Sequence, residues 1–468
     1  MNPREPVSTR VLPGSSDTIT AQATPSVRSA LAVIRISGSD AHKIGAGLLS
    51  PWHVTPRRAF LSTLRDPESG NEIDQCIVTV YQAPASYTGE DMVELSLHGG
   101  EVGPALAFNA LLAAGARPAL PGELTRRALL NGKLDLLQAE AIADLIDSRS
   151  RAMHEVALDQ LAGHLSSRLR ALRSEIIELE ALLAYDVDFP EEDDGPISSG
   201  RIDVAAQSIL GTIDALLATT ATGEMIRSGA AIVIAGAPNA GKSSLFNALA
   251  GTQRAIVTDV PGTTRDALEA MMDIGPWPVR LVDTAGLRPS DDVIERLGIE
   301  VAERQVKDAA IVLACGEDAE SIAFALERVR PLTTATLIAV GTKSDRGILP
   351  SVIDSVIDSS VVYVAVSART GDGLAELVKS IIETLDRERS PASASNPILT
   401  RERHRVALAH AQDEVAAFVK VRLDSSAIPA TIAAVHLHSA RGYLEELIGV
   451  LDIDEVLDRV FSTFCVGK

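Results

Sequence analysis

The sequence has little of three things: cysteine, aromatic side chains and positive charge. Its 468 residues include only three cysteines, Cys76, Cys315 and Cys465. They are too few and too far apart for a disulfide framework or a zinc site. Aromatic residues make up 3% of the chain, so the cores must be built from Ala, Leu, Ile and Val. This composition favours helices and buried parallel strands over an all-β fold.

The charge balance is acidic. Lys and Arg number 43 against 63 Asp and Glu, which gives a formal net charge of −20. A protein that coats nucleic acid needs clustered cations, so this balance argues against that class but leaves room for a local basic patch. The first residues contain no apolar signal segment, and we expect no run of membrane-spanning length. These absences predict a reducing, cytoplasmic setting.

The length predicts roughly three domains. Residues 1–120 mix short strand-like runs, such as "LAVIRISG" and "CIVTVYQAP", with turns, and predict a small α+β domain. Residues 121–222 and 386–468 have helical patterns and predict the two parts of an α-helical domain. Residues 223–385 alternate apolar strands with helices, the pattern of a doubly wound α/β sheet. The predicted fold class is therefore multidomain, with an α/β domain inserted into a helical bundle.

Apolar residues recur at steps of three and four between Leu158 and Leu183. This periodicity predicts one long bundle helix, which Pro190 and the following acidic run end. A second helix is expected over residues 201–218, and helices are expected again over residues 401–464.

"GAPNAGKSS", from Gly236 to Ser244, has the spacing of a P-loop and lies between a predicted strand and a predicted helix. Backbone N–H groups of such a loop face the phosphates of a nucleotide. Lys242 is expected to reach the β- and γ-phosphates, and Ser243 is expected to hold Mg²⁺.

The later motifs point to guanine rather than adenine. In "LVDTAG", Asp283 is placed to bind in the magnesium shell, and Gly286 to give its N–H to the γ-phosphate. "GTTRD" supplies Thr264 as the switch threonine. Asp345 of "TKSD" can accept from N1–H and the amino group of guanine, and "SART" forms the loop under the base. The guanine motif begins with Thr342 instead of the usual Asn, which predicts a modest nucleotide affinity.

The residue that orients the attacking water is not obvious, because Leu287 stands where Ras-like enzymes have glutamine. Three downstream carboxylates are candidates: Asp291, Asp292 and Glu295. Each of them taken alone is equally well interpreted as solvated charge at the start of a helix.

Several segments together closely resemble the bacterial MnmE (TrmE) family of tRNA-modification GTPases, over almost the whole chain. They are "DTITAQATP", "SYTGEDMVELSLHGG", "PGELTRRALLNGKLDLLQAEAIADLIDS", "DFPEED", the nucleotide motifs and the terminal "CVGK". The resemblance implies a homodimer that works with an FAD-dependent partner, MnmG. Together they would modify the wobble uridine of certain tRNAs at C5, giving an aminomethyl or carboxymethylaminomethyl uridine, with a folate-borne one-carbon unit. The alternative is a GTPase switch for ribosome assembly without folate chemistry.

The resemblance also implies roles for residues in the nucleotide site. K⁺ is expected to be held by Asn239, Thr258, the Val260 carbonyl and Thr263. Mg²⁺ is assigned to Ser243 and Thr264, and Glu295 becomes the catalytic residue that orients water. The predicted GTP-binding residues are Asn239, Ala240, Gly241, Lys242, Ser243, Ser244, Thr258, Thr263, Thr264, Asp283, Thr284, Ala285, Gly286, Thr342, Lys343, Asp345, Ser367, Ala368 and Arg369.

A tetrahydrofolate derivative, in its formyl or methylene form, is the second ligand that the resemblance implies. Arg35, Glu94, Lys133 and Lys468 match the family's folate contacts, so the N-terminal α+β domain is expected to bind folate and to dimerise. Where the family has a glycine-rich turn, this chain has Ser29 and Ala30, which puts the fine geometry of that loop in question.

The ending "CVGK" is not expected to be a lipidation box, because Gly467 is not aliphatic and Lys468 is a poor terminal residue for that motif. Chains of the family end in this pattern. Lys468 is therefore the stronger candidate for function. Cys465 is a candidate nucleophile, although packing or redox sensitivity is its better-supported role.

Overall fold

The computed structural model describes residues 17–188, 199–252, 268–283, 303–347, 361–388, 393, 395–424, 430–449 and 467. Contacts divide the chain into two compact units. The first comprises Met1–Ala143 with Ile448–Lys468, and the second comprises Asp144–Leu447. This division into two units does not test the predicted domain boundaries at residues 120, 222 and 385, which stay predictions.

The first unit contains a seven-stranded sheet of order β3-β4-β5-β6-β2-β1-β7, antiparallel except for the β1–β7 pair. Its strands are β1 (Ile19–Gln22), β2 (Leu31–Ser37), β3 (Leu49–Ser50), β4 (Ala59–Arg65), β5 (Glu72–Tyr81), β6 (Met92–His98) and β7 (Arg117–Pro118). Its helices are α1 (Ala41–Leu48), α2 (Val102–Ala113) and α3 (Glu123–Leu130); α4 (Leu136–Asp147) contains the division between the units. The predicted α+β architecture is confirmed.

The two faces of this sheet differ. Alternate residues of the strands, including Ile34, Val78 and Leu95, are fully buried in one core with α1 and α2. On the opposite face, Leu31, Leu61 and Ile77 keep 58%, 59% and 44% of their surface exposed. That alternation is the expected period of two for strands that bury one face.

In the second unit, the single long helix predicted from Leu158 to Leu183 is wrong. Two helices, α5 (Arg151–Leu161) and α6 (His164–Asp188), meet at Gly163, whose φ of 88° is left-handed. Glycine adopts this conformation without the steric cost that other residues meet, so the chain leaves α5 here before α6 begins. Leu158 is 45% exposed, and the fully buried stripe begins at Leu165.

Helix α7 (Ser199–Leu217) agrees with the predicted second helix and is followed by α8 (Thr220–Ser228). By length and composition alone, Gly200–Ser228 is apolar enough to cross a membrane, the one such stretch among the described residues, so the expectation of no such run is wrong. Its buried residues form one stripe at helical spacing: Ile202, Ala206, Ile209, Ile213 and Leu216. The stripe packs on α6 and α12 (Glu402–Asp424), as in a helical bundle.

A six-stranded sheet of order β13-β12-β11-β8-β10-β9 forms the α/β part of the second unit. Its strands are β8 (Ala230–Gly236), β9 (Leu268–Ile274), β10 (Trp277–Asp283), β11 (Ile311–Gly316), β12 (Thr336–Thr342) and β13 (Val362–Val366). Its described helices are α9 (Lys242–Thr252), α10 (Ala319–Val329) and α11 (Leu374–Glu388). All neighbouring strands are parallel except β9.

Apolar side chains are buried on both faces of this sheet. Ile232 and Ile234 pack with α9 and α11, whereas Val233 and Ala235 pack into the opposite core. Because β8, β10, β11 and β12 are parallel, their carboxyl ends lie at the same edge of the sheet. A doubly wound sheet binds its ligands at this edge. The chain then returns to the bundle through α12 and α13 (Ala430–Ile448), so the predicted helix–α/β–helix order is observed.

Candidate active site

The P-loop connects the carboxyl end of β8 to the first residue of α9. Gly236 has a φ of 153°, and a Cβ added to it would lie 2.3 Å from the carbonyl oxygen of Cys315. Only glycine fits there. Asn239, at the tip of the loop, has a left-handed φ of 65° and an exposed side chain.

Lys242 is positioned by the loop itself. Its Nζ donates to the carbonyl oxygens of Gly236 and Ala237, each at 2.8 Å. Burial lowers the pKa of this ammonium group, and the nearby carboxylate of Asp283 opposes that shift. A buried cation held over the loop is placed to meet phosphate oxygens, whose charge would offset the desolvation.

Ser243 and Ser244 lie in the first turn of α9 and are exposed. Asp283, the last residue of β10, is fully buried and is in register with Ile234 of β8. The structure thus brings Ser243 and Asp283 to the same edge of the sheet. Hydroxyl and carboxylate oxygens of this kind suit a Mg²⁺ that also binds phosphate. The described residues contain no cluster of three His, Cys, Asp or Glu that could hold a metal unaided.

Thr342, the last residue of β12, ties the end of that strand to the P-loop. Its Oγ1 lies 2.7 Å from the Ala240 carbonyl oxygen and 3.2 Å from that of Gly316. Next to it, Lys343 has a left-handed φ of 57°. The Lys343 ammonium group donates to the Asn239 carbonyl oxygen at 3.0 Å and forms an ion pair with Glu317. Thus Thr342 still connects the two loops, through its hydroxyl group.

The Asp345 carboxylate is held by the loop that follows β13. The hydroxyl of Ser367 donates to Asp345 Oδ1 at 2.9 Å, and the Ser367 N–H donates to the Asp372 carbonyl oxygen at 2.9 Å. Ala368 and Arg369 follow in the same loop after β13. One carboxylate fixed in this way can accept both the N1–H and the amino group of guanine, whereas adenine presents no such pair of donors.

Ten predicted site residues lie outside the described part of the chain: Thr258, Val260, Thr263, Thr264, Thr284, Ala285, Gly286, Glu295, Cys465 and Lys468. The two other candidate carboxylates, Asp291 and Asp292, also lie outside it. Their roles stay predictions.

Arg35 and Glu94 are directly opposite each other on β2 and β6 of the first unit. Arg35 Nε donates to Glu94 Oε2 at 3.0 Å, and both side chains are about a quarter exposed, at 23% and 24%. Lys133 is exposed, and its Nζ donates to the Pro84 carbonyl oxygen at 3.0 Å. The resemblance implies three separate ligand contacts, but the structure pairs Arg35 and Glu94 with each other.

Two tyrosines, Tyr81 and Tyr87, lie near this pair and are not among the predicted site residues. The Arg35 guanidinium lies over the Tyr87 ring, 5.7 Å from its centroid. The Tyr87 hydroxyl is 2.7 Å from Thr125 Oγ1, and burial raises its pKa. Burial and then the charge of Glu94 raise the pKa of Tyr81. The alternation of β5 and "SYTGED" could have indicated both tyrosines.

The backbone of Ser29 and Ala30 is in close contact with Gly99, which follows β6. A Cβ added to Gly99 would lie 2.2 Å from the Ser29 carbonyl oxygen, and the Gly99 N–H donates to the Ala30 carbonyl oxygen at 3.2 Å. The glycine needed at this approach is therefore Gly99, and Ser29 and Ala30 are accommodated.

The tail reaches the first unit's sheet. Gly467 is buried with a φ of 102°, and a Cβ added to it would lie 2.3 Å from the Gln22 carbonyl oxygen of β1. The penultimate residue therefore packs closely against the same sheet that carries Arg35.

The phosphate loop, the buried lysine, the strand-end aspartate and the fixed Asp345 define a GTP hydrolase of the P-loop class, which uses GTP and Mg²⁺. The "GTP-binding protein TrmE N-terminus" model matches residues 18–133, and the "MnmE helical domain" model matches residues 136–465. The chain belongs to the MnmE family.

Curated relatives agree with this assignment along the full length. The "tRNA modification GTPase MnmE" of Aquifex aeolicus is 39% identical over 452 residues, which cover 96% of this chain and 99% of the relative. That of Moorella thermoacetica is 38% identical, with 97% and 99% covered. That of Methylorubrum populi is 41% identical, with 98% and 100% covered.

Proposed function

We propose that the chain is a K⁺-activated GTPase that modifies the wobble uridine of certain tRNAs at C5, together with an FAD-dependent MnmG. The one-carbon unit would come from a folate, giving an aminomethyl or carboxymethylaminomethyl uridine. The observation that carries the proposal is the presence of two different sites on one chain. The guanine-nucleotide pocket lies in the second unit, and the Arg35–Glu94 pair lies in the first.

In the nucleotide site, the P-loop lysine and the backbone of α9 bind and orient the phosphates. When bound, Mg²⁺ neutralises charge on the phosphates during transfer. Ser243 and Asp283 would hold it, with Thr264 as the switch ligand. Lys242 stays fixed by two carbonyl oxygens, so no reorganisation is needed when charge develops.

K⁺ fits the exposed amide of Asn239, since a hard monovalent cation prefers oxygen ligands. When bound, it would supply positive charge near the phosphates, as an arginine finger does in other GTPases. Thr258, the Val260 carbonyl and Thr263 are the other proposed ligands, and Glu295 is proposed to orient the attacking water.

In the folate site, Glu94 would accept from pterin N–H donors, and Arg35 would hold Glu94 in place. Lys133 and Lys468 would meet carboxylates of the glutamate part. Close packing of Gly467 on β1 supports a tail that ends at this sheet.

The exposed apolar side chains of the sheet, Leu31, Leu61 and Ile77, support the proposed homodimer through the first unit. With a net charge of −20, the chain is poorly suited to bind tRNA phosphates alone, so we assign the larger share of tRNA affinity to MnmG. Tight, salt-sensitive tRNA binding by this chain alone would contradict that assignment. The buried free thiols of Cys76 and Cys315 are consistent with a cytoplasmic location.

The central experiment is analysis of wobble nucleosides in tRNA from a strain that lacks this chain. The C5 aminomethyl-type modifications should disappear and return on complementation. Intact modifications with accumulated ribosome precursors would instead favour the assembly-switch function.

A second experiment compares GTP turnover in K⁺ and Na⁺ buffers of equal ionic strength. Turnover should be fast only in K⁺, and equal rates would refute the role of Asn239 in holding the ion. Glu295→Ala should abolish turnover and leave nucleotide binding intact.

A further inference from the structure

Among the described residues, only three that are not glycine have a left-handed backbone: Arg57, Asn239 and Lys343, with φ of 58°, 65° and 57°. An L side chain is strained in this region, and such residues persist where the surrounding structure requires them, often at functional sites. Asn239 and Lys343 belong to the nucleotide site. Arg57 has no role assigned so far.

The backbone of Arg57 is fixed beside β5. Its N–H donates to the Val80 carbonyl oxygen at 2.8 Å, and its Nη2 donates to the Ala85 carbonyl oxygen at 3.3 Å. Lys133 Nζ donates to the carbonyl oxygen of Pro84, the residue before Ala85. Two successive carbonyl groups of one loop therefore gather two cations into one place.

Neither cation is neutralised. Arg57 and Lys133 are both exposed, and in the described part of the chain neither forms an ion pair with a carboxylate. In an acidic chain with 63 carboxylates, two cations that bond to successive carbonyl groups and have no carboxylate partner among the described residues favour a bound anion. Arg35 differs, because Glu94 already balances its charge.

Arg57 is bound to the strand that neighbours Glu94: its N–H donates to Val80 of β5, the residue after Thr79. Tyr81, the last residue of β5, lies opposite Met92 and two residues from Thr79, which is paired with Glu94. The charges of both Arg35 and Arg57 act to lower the pKa of Tyr81 against burial, which raises it. Arg57 therefore lies beside the part of β5 that pairs with the Glu94 region of β6.

We propose that Arg57 and Lys133 form a clamp for the carboxylates of the folate's glutamate tail, and that Arg57 makes the site prefer an oligo-γ-glutamate tail to a single glutamate. This inference rests on the proposed folate function. Each added glutamate supplies another carboxylate, and a guanidinium group can bind one with two parallel hydrogen bonds. The weak bond to Ala85 is easily exchanged for such a ligand.

The test uses the full-length chain and 5-formyltetrahydrofolate carrying one or three glutamates, with affinities from isothermal titration calorimetry. Arg57→Asn removes the charge, and asparagine tolerates the left-handed backbone. Arg58→Asn is the matched control, since Arg58 is the exposed neighbour with the same charge. Arg57→Asn should weaken binding of the triglutamate form about tenfold and of the monoglutamate form about threefold or less, as expected for loss of a charged contact. Arg58→Asn should change neither.

Unchanged triglutamate affinity in Arg57→Asn, or an equal loss for both ligands, would overturn the clamp. If the wild-type chain bound neither folate, the proposed folate function itself would fail. Far-UV circular dichroism and the melting temperature of each variant report whether the chain is folded, and its GTPase rate should be unchanged because Arg57 lies in the other unit from the nucleotide site.

Discussion

The two predicted sites are built in different ways. In the nucleotide site, side chains bond to backbone carbonyl groups of one short loop: Lys242 to Gly236 and Ala237, and Thr342 to Ala240. In the N-terminal site, the central contact joins two side chains on neighbouring strands, Arg35 and Glu94, which are 59 residues apart in sequence. The first site depends on local backbone conformation, whereas the second depends on the register of a sheet.

This difference decides how each site should respond to mutation. A loop whose cation is held by its own backbone loses function when that cation is removed, because no neighbouring side chain that the structure describes is held in the same position to replace it. A cross-strand pair loses orientation first, since removal of one partner leaves the other in place but free to move. Changes in either site should leave the other site's ligand affinity intact if the two units bind their ligands independently.

The largest effect is expected from Lys242→Ala. Loss of a fixed charge at the developing phosphate charge should lower the GTPase rate about 100- to 1,000-fold. Turnover under saturating GTP and titration with a fluorescent guanine nucleotide measure it. Lys379→Ala, which removes an exposed lysine paired with Glu383 on α11, should have no effect. Altered formyl-folate affinity in Lys242→Ala would contradict the independence of the two sites.

Asp345→Asn tests whether base recognition is fixed by one carboxylate. The amide offers an N–H to the guanine donors, so GTP affinity should fall about 100-fold, in line with the loss of a buried polar pairing. Xanthosine triphosphate, which carries a carbonyl in place of the amino group, should bind better to the variant than to the wild type. Competition against a labelled nucleotide measures both affinities.

Asp372→Asn is the matched control, because Asp372 lies in the same loop and its side chain accepts from Thr370. It should leave the preference for guanine unchanged. A shift toward xanthine in this variant would mean that the loop as a whole, and not Asp345, selects the base.

The difference between the two sites also decides how much of each can be predicted from a sequence. A P-loop is contiguous, so its glycines, lysine and serine are visible together, and strand–loop–helix order follows from local patterns. Arg35, Glu94 and Lys133 lie on a strand, another strand and a loop, and only their resemblance to a family could group them. The Arg35–Glu94 pairing needed the β2–β6 register, which a sequence does not display.

Two further features, the helix break at Gly163 and the backbone of Arg57, could not be predicted from local sequence patterns. The break at Gly163 interrupts an apolar periodicity that continues on both sides of it, so periodicity alone joined α5 to α6. The left-handed backbone of Arg57 is imposed by the fold, because arginine does not favour this conformation and no local sequence motif predicts it.

Glu94→Gln tests the Arg35–Glu94 pair of the N-terminal site. The variant keeps the shape of the side chain but removes the charge that holds Arg35, so formyl-folate affinity should fall about tenfold. Glu72→Gln is a matched control in the same sheet, because Glu72 pairs with Arg65 across β4 and β5 at 2.7 Å. It should bind folate normally, and GTP turnover in K⁺ should be unchanged in both variants.

The smallest effect is expected from Thr342→Val, which tests whether the bond between the two nucleotide loops matters once the cations are in place. Valine has nearly the same shape but cannot donate to Ala240 and Gly316, so nucleotide affinity should fall about fivefold, for a net loss of about 1 kcal/mol. Thr384→Val is the matched control: Thr384 is also buried, and its hydroxyl donates to Ser380 within α11 at 2.8 Å. Both variants should lose similar thermal stability, but only Thr342→Val should bind nucleotide more weakly. If Thr384→Val weakened nucleotide binding equally, the loss would reflect general destabilisation of the second unit, and the tie between Thr342 and the P-loop would have no separate role.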